Sequence, residues 1–228
     1  MKIPSSKKPL RLIKILVSAA FFSIFALICL LSGSFEGSVV EASAFGPAPG
    51  YTGAVDEGNC TACHSSYAVN SGSGNIQISG IPRNYKPGQQ IPVTVTVNQS
   101  DAVLFGFELT AIDSTGNKAG DLTFPSASPQ PLQTVNGFIN GILRQYIEHT
   151  NQGITPTVFG TKSWQFTWTA PSARVGKISF YAAGNGADSN GSTSGDYIYT
   201  TSTSTYTDTN IASFDDDAIT DISVYRPS

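Results

Sequence analysis

The chain has 228 residues with 13 Lys plus Arg against 16 Asp plus Glu, a formal net charge of −3. The acidic balance argues against nucleic acid and against an anionic membrane surface as partners. Only three cysteines are present, at 29, 60 and 63, which excludes a scaffold stapled by several disulfides.

The N-terminus carries Lys2, Lys7, Lys8, Arg11 and Lys14, then an apolar run from Ile15 to Leu31, then the small-residue triplet Ala42-Ser43-Ala44. That order is expected of a secretory signal peptide occupying residues 1–44 and cleaved after Ala44, so the mature chain starts at Phe45 and resides in the periplasm or is secreted to the cell surface. The alternative is an uncleaved anchor, because the run reaches the lower limit for a spanning helix. Cys29 falls in the apolar run and follows Leu27 and Ile28, which is unlike a lipid-anchor signal. With 44 residues removed, 184 remain, carrying 8 Lys plus Arg and 14 Asp plus Glu for a formal charge of −6. That is one domain's worth of chain, with no stable membrane association once the signal is gone.

Residues 45–73 are rich in Gly, Pro, Ser and Ala without a helical period and are expected to form an extended leader. It contains Cys60-Thr61-Ala62-Cys63-His64, the full C-x-x-C-H pattern of c-type haem attachment. Two thiols three positions apart can each form a thioether to a porphyrin vinyl group, and the adjacent imidazole of His64 then reaches the iron as proximal ligand. A leader without amphipathic helices has nothing to wrap such a cofactor, so its cover is expected from the rest of the chain. A Cys60–Cys63 disulfide is the main alternative, although the thioredoxin-like kind is followed by a helix and none is indicated here. A zinc site wants four ligands, and beyond this cluster His149 is the only other histidine.

From residue 74 to 228 the signals are short strands and turns. Val93, Val95 and Val97 alternate with Thr94 and Thr96. Further strands are expected at 103–112, 139–149, 162–169, 177–183, 196–203 and 219–225, with turns at 85–88, 114–117, 170–172 and 184–195. Seven or more short strands without a helical period give an all-β sandwich. Trp164, Phe166 and Trp168 share one strand face and are expected in the core. Residues 203–217, dominated by Thr, Ser and Asp, are expected to be a solvated loop, with Asp215-Asp216-Asp217 a surface turn.

His149 shares strand parity with Leu143 and Ile147, so it is expected to point into the protein. Met1 is the only methionine and leaves with the signal, which removes His/Met ligation. His149 is therefore the expected distal ligand, with Lys, Tyr or an open position as alternatives. The loop from Asp188 through Asn190 to Asp196 resembles part of a calcium loop but lacks the position-5 carboxylate and the closing Glu, so calcium is not expected.

The segments GYTGAVDEGNCTACHSS, YKPGQQIPVTVTV, GFELTAID, EHT, WQFTWTAPS and FYAAGNGADSNGSTSGDYIYT together resemble bacterial reelin-like proteins of the choice-of-anchor V group, over about residues 50–202. The resemblance implies an immunoglobulin-like reeler sandwich preceded by the haem-attachment motif, and it makes His149 part of the family pattern. It brings no enzymatic activity, and the sorting tail common in that group is not recognisable in Val-Tyr-Arg-Pro-Ser. The expected function is a non-enzymatic monohaem electron carrier working with a redox partner protein of the envelope. The competing expectation is an adhesion or matrix-binding sandwich with a Cys60–Cys63 disulfide and no haem; a haem peroxidase would have only Arg144 near His149 to assist.

Overall fold

The computed structural model describes residues 43–208. Ten strands form it: β1 (Asn75–Ser79), β2 (Asn84–Tyr85), β3 (Gln90–Asn98), β4 (Leu104–Asp113), β5 (Asp121–Thr123), β6 (Leu132–Ile139), β7 (Ile142–His149), β8 (Thr161–Thr169), β9 (Lys177–Ala187) and β10 (Tyr197–Thr207). They build a four-stranded sheet in the order β1-β3-β8-β5 and a six-stranded sheet in the order β2-β10-β9-β4-β7-β6. Every pair is antiparallel except β10 with β2. The fold is an all-β sandwich. Among the described residues, no helix is long and apolar enough to cross a membrane.

The core follows from period-2 alternation in both sheets. Val93, Val95 and Val97 of β3 and Trp164, Phe166 and Trp168 of β8 face inward from the smaller sheet. Phe105, Phe107, Leu109 and Ala111 of β4 and Ile178, Phe180 and Ala182 of β9 meet them from the larger one. Trp168 stands edge-on to Tyr85 and Phe180, and its indole N–H donates to the Ala119 carbonyl at 2.8 Å. The three aromatics of β8 belong to this core.

Several expectations need correction. Residues 139–149 are not one strand: Asn140 and Gly141, with φ of 50° and 82°, turn the chain between β6 and β7. Both central residues at positive φ match the twist of a two-residue hairpin, which Asn-Gly supplies. β9 extends to Ala187, so the 184–195 turn is shorter than expected, and β10 extends to Thr207, so residues 203–207 are strand. There Thr205 and Thr207 are buried and Ser204 pairs with Ser179 across the ladder, a setting that suits β-branched and hydroxyl side chains. The short strands β2 and β5 carry too little pattern to be seen beforehand. The strand at 219–225 and the Asp215–Asp217 turn lie outside the described residues.

β4 is buried on both faces. Its inward residues meet the core, and its outward residues Glu108 and Thr110 are equally inaccessible, Glu108 meeting Gly50 and Tyr51 of the leader and Thr110 donating to the Gln145 carbonyl of β7.

Candidate functional site

The leader is more than an extended strand. Gly53 N–H donates to the Gly58 carbonyl, Glu57 N–H to Ala54, and Thr52 bridges Asn59, which closes a small loop. Asn59 then caps a single 3₁₀ turn, Cys60–Ala62, its side-chain oxygen accepting from Thr61 N–H at 2.9 Å. The Cys60 carbonyl accepts from both Cys63 N–H and His64 N–H. This turn brings both sulfurs and the imidazole to one wall of a cavity of about 530 Å³, which is within the span of cofactor sites, roughly 300–1,000 Å³.

The rest of the lining comes from the outer side of the six-stranded sheet and the loops beside it. Gly106, His149, Asn185 and Asp196 belong to it, with Leu104, Ile154 and Ala187 supplying apolar surface. His149 is placed by a split in the sheet. β7 is paired with β4 only over Glu108–Thr110, and beyond that point the His149 ring takes the ladder position, with Nδ1 3.1 Å from both the N–H and the C=O of Phe107. Gly106 makes room for the ring, since a Cβ there would stand 2.7 Å from His149 Cε1. Burial holds His149 below the ordinary histidine pKa, opposed by the Phe107 and Ser43 backbone.

His64 is held from the other side. Its Nδ1 lies 2.6 Å from Asp196 Oδ2, and Asn185 Nδ2 is 3.3 Å from both atoms. With the proton on Nδ1, His64 donates to Asp196 and keeps a lone pair on Nε2; His149 Nδ1 donates to the Phe107 carbonyl in the same tautomer and accepts from the Phe107 N–H in the other, one at a time. Cys60 and Cys63 are both free thiols and half-buried. Burial, with the charge of Glu108 next in effect, pushes the Cys60 thiol up to about 12, so it is a protonated thiol and not a reactive thiolate.

A buried polar network pins the leader to the sheet. Arg144 donates to Glu57 Oε1 at 2.6 Å, to the Val55 carbonyl and to the Gly116 carbonyl. Tyr146 O–H donates to the same Glu57 oxygen at 2.8 Å, and Thr52 O–H to the other. Arg144 is thus committed to Glu57 and does not line the cavity, which removes it as a helper for peroxide chemistry. Glu108 accepts from the N–H groups of Gly50 and Tyr51, yet burial pushes its carboxyl up to about 9.

The three motif residues Cys60, Cys63 and His64, and the expected distal ligand His149, therefore line one cavity. Among the described residues no three His, Cys, Asp or Glu side chains converge as an all-protein metal site, whereas a haem iron draws only two ligands from the protein. Asp188 and Asn190 of the calcium-like loop spend their oxygens on the loop's own N–H groups, and Asp196 is turned to His64. Two members of the site were not foreseen in these roles. The sequence reads Asp196 as the start of the strand at 196–203 and the end of the calcium-like loop, with nothing to connect it to His64, and Glu57 gives no signal beyond being a charge in a leader rich in small residues.

No known protein family profile and no curated protein sequence matches the chain. Among solved structures, the human F-spondin reeler domain is similar at 17% identity and TM-score 0.40, covering 61% of this chain and 92% of that one. The Reelin-N domain of F-spondin is similar at 18% identity and TM-score 0.41, covering 64% and 96%. A cohesin module from a Clostridium perfringens family 33 glycoside hydrolase is similar at 9% identity and TM-score 0.40, covering 59% and 96%. The sandwich assignment rests on the strand order and register given above.

Proposed function

We propose that the mature chain is an exported, non-enzymatic electron carrier of the c-type cytochrome kind, of the reelin-like choice-of-anchor V group, with one haem held by Cys60, Cys63 and His64. The observation that carries this reading is the shared cavity, whose lining includes both cysteines and both histidines, each histidine with Nδ1 within hydrogen-bond reach of an acceptor. An engaged Nδ1 fixes the tautomer and ring orientation of a metal-binding histidine and raises its basicity.

In this reading Cys60 and Cys63 would hold the haem through thioether bonds to its two vinyl groups. His64, with Asp196 orienting its ring, and His149, braced on the Phe107 backbone, would each offer Nε2 to the iron. Bound there, a haem supplies a one-electron iron couple, and two nitrogen ligands without methionine place its potential low in the cytochrome range. The side chains of Leu104, Ile154 and Ala187 give the cavity apolar surface against which a macrocycle would pack.

The test is a visible and pyridine haemochrome spectrum of protein exported from a host with cytochrome c maturation, beside Cys60→Ala/Cys63→Ala. A c-type spectrum that survives denaturing extraction and is lost in the double variant supports the reading. A colourless wild type sinks it and leaves the adhesion-type sandwich. His149→Ala in the coloured protein is expected to convert a low-spin spectrum to one that binds carbon monoxide.

A further inference from the structure

The cations of the described sandwich gather at one end, where Lys118 is paired with Asp121 and where Asp113 and Asp208 also lie. The cavity lies where β3, β7 and β9 finish and β4, β8 and β10 begin. Of the seven cations among the described residues, five, Arg83, Lys86, Lys118, Arg174 and Lys177, sit at the opposite end, in the loops around the Gln90–Thr169 and Lys177–Tyr206 pairings. Arg144 is neutralised by Glu57, and Lys162, the only described cation at the cavity end, is half-buried and donates to the Thr155 carbonyl. The exposed charges at the cavity end are Asp101, in the β3–β4 loop, and Asp188, in the β9–β10 loop. Their carboxylates meet only amide groups, of Gln99 and Asn190, so neither charge is neutralised by them.

Between these aspartates the surface is apolar. Val103, Val158 and Phe159 are exposed on adjoining loops, joined where Gln99 N–H meets the Gly160 carbonyl and where Phe105 N–H meets Ile154. Tyr67 and Tyr197 stack at 4.3 Å between centroids, with Tyr197 directly following the Asp196 that holds His64. Asp101 acts electrostatically on Tyr197, and Ser189, Gly191 and Ser192 of the Asp188 loop line the cavity itself. The surface nearest the cofactor site is therefore an apolar centre with an acidic rim.

We infer that this end is the docking face for a redox protein that presents Lys and Arg side chains around an apolar patch, steered by Asp101 and Asp188. The inference rests on the haem reading above. One electron passes from the ferrous iron to the partner's one-electron centre, leaving ferric iron here and a reduced centre there, with no proton or group transferred. Rim charges of this kind act chiefly on the association rate and its salt dependence.

The experiment is stopped-flow oxidation of the reduced full-length holoprotein by two probes, cationic hexaammineruthenium(III) and anionic ferricyanide. Ionic strength is raised from about 0.01 M to about 0.15 M, which shortens the Debye length from roughly 30 Å to about 8 Å. The cationic probe is expected to slow on the order of threefold and ferricyanide to quicken. Asp101→Lys/Asp188→Lys reverses both trends, Asp101→Asn/Asp188→Asn flattens them while keeping the Gln99 contact and one of the two hydrogen bonds that Asp188 accepts from Asn190, and Lys86→Glu/Lys177→Glu at the far end changes neither. Opposite or absent salt dependence, or equal effects from the far-end variants, overturns the docking face while leaving the haem in place. A colourless protein overturns both.

Discussion

His64 Nδ1 and Asp196 Oδ2 meet at 2.6 Å although 132 positions separate them, and this contact ties the attachment motif to the start of β10. In the proposed holoprotein, a carboxylate accepting from the His64 imidazole would push electron density to Nε2 and favour ferric iron. Asp196→Asn is expected to raise the reduction potential, by about 59 mV for each tenfold change in the ferric-to-ferrous preference. Spectroelectrochemical titration of the two holoproteins measures it; a potential that falls or stays put contradicts the assigned role of Asp196.

The Glu57–Arg144 pair is almost wholly buried on both sides. Removing one member of such a pair leaves an uncompensated charge and costs about 3–5 kcal/mol. Arg144→Met is expected to lose stability in that range by urea unfolding. Arg144→Met/Glu57→Gln is expected to recover most of it, because the stranded charge is gone. A double variant no more stable than the single would show that the pair's hydrogen bonds, and not its charges, dominate.

Glu108 has its folded pKa raised from 4.5 to about 9, chiefly by burial. A raised carboxyl pKa means that the folded state holds the proton more tightly than the unfolded one. Its contribution to stability is complete below about pH 4.5 and is lost as pH rises toward 9. Glu108→Gln is expected to flatten the decline of stability across that window, with the largest gain at the alkaline end. Urea midpoints from pH 5 to 9 for both proteins check the sign; parallel curves would refute it.

Gly106 faces the His149 ring with no room for a methyl group. Gly106→Ala is expected to displace the ring, at a cost of about 1–3 kcal/mol, and to weaken the low-spin spectrum. Trp168→Ala, in the core between the sheets, is expected to cost more, about 3–5 kcal/mol, yet to leave the visible spectrum unchanged at temperatures where the protein stays folded. Thermal melts followed at both haem and aromatic wavelengths separate the two outcomes.

The sandwich was legible because alternation in β3 and β8 is unbroken, with Val93, Val95 and Val97 pairing directly with Phe166, Trp164 and Lys162. The β6–β7 hairpin was missed because Asn140-Gly141 lies inside an otherwise apolar stretch and was read through as strand. At the site, the motif itself named Cys60, Cys63 and His64, and counting left His149. Asp196 could not be recognised, since nothing local distinguishes a carboxylate facing an imidazole from one capping a turn. The burial of Glu57 and Glu108 was equally hidden. It depends on the leader folding back across β4, a long-range event with no sequence period, and a charged residue on an outward strand position ordinarily means solvent.

The contacts that fasten the leader all span long stretches of chain: 58 positions from Gly50 to Glu108, 87 from Glu57 to Arg144 and 132 from His64 to Asp196. Closing loops of that length is entropically unfavourable until the sheets that reward it exist. The leader's contacts therefore depend on β4, β7 and the start of β10 being in place, and with them in place the cysteine-bearing segment lies over the outer face of β4 and forms part of the cavity lining.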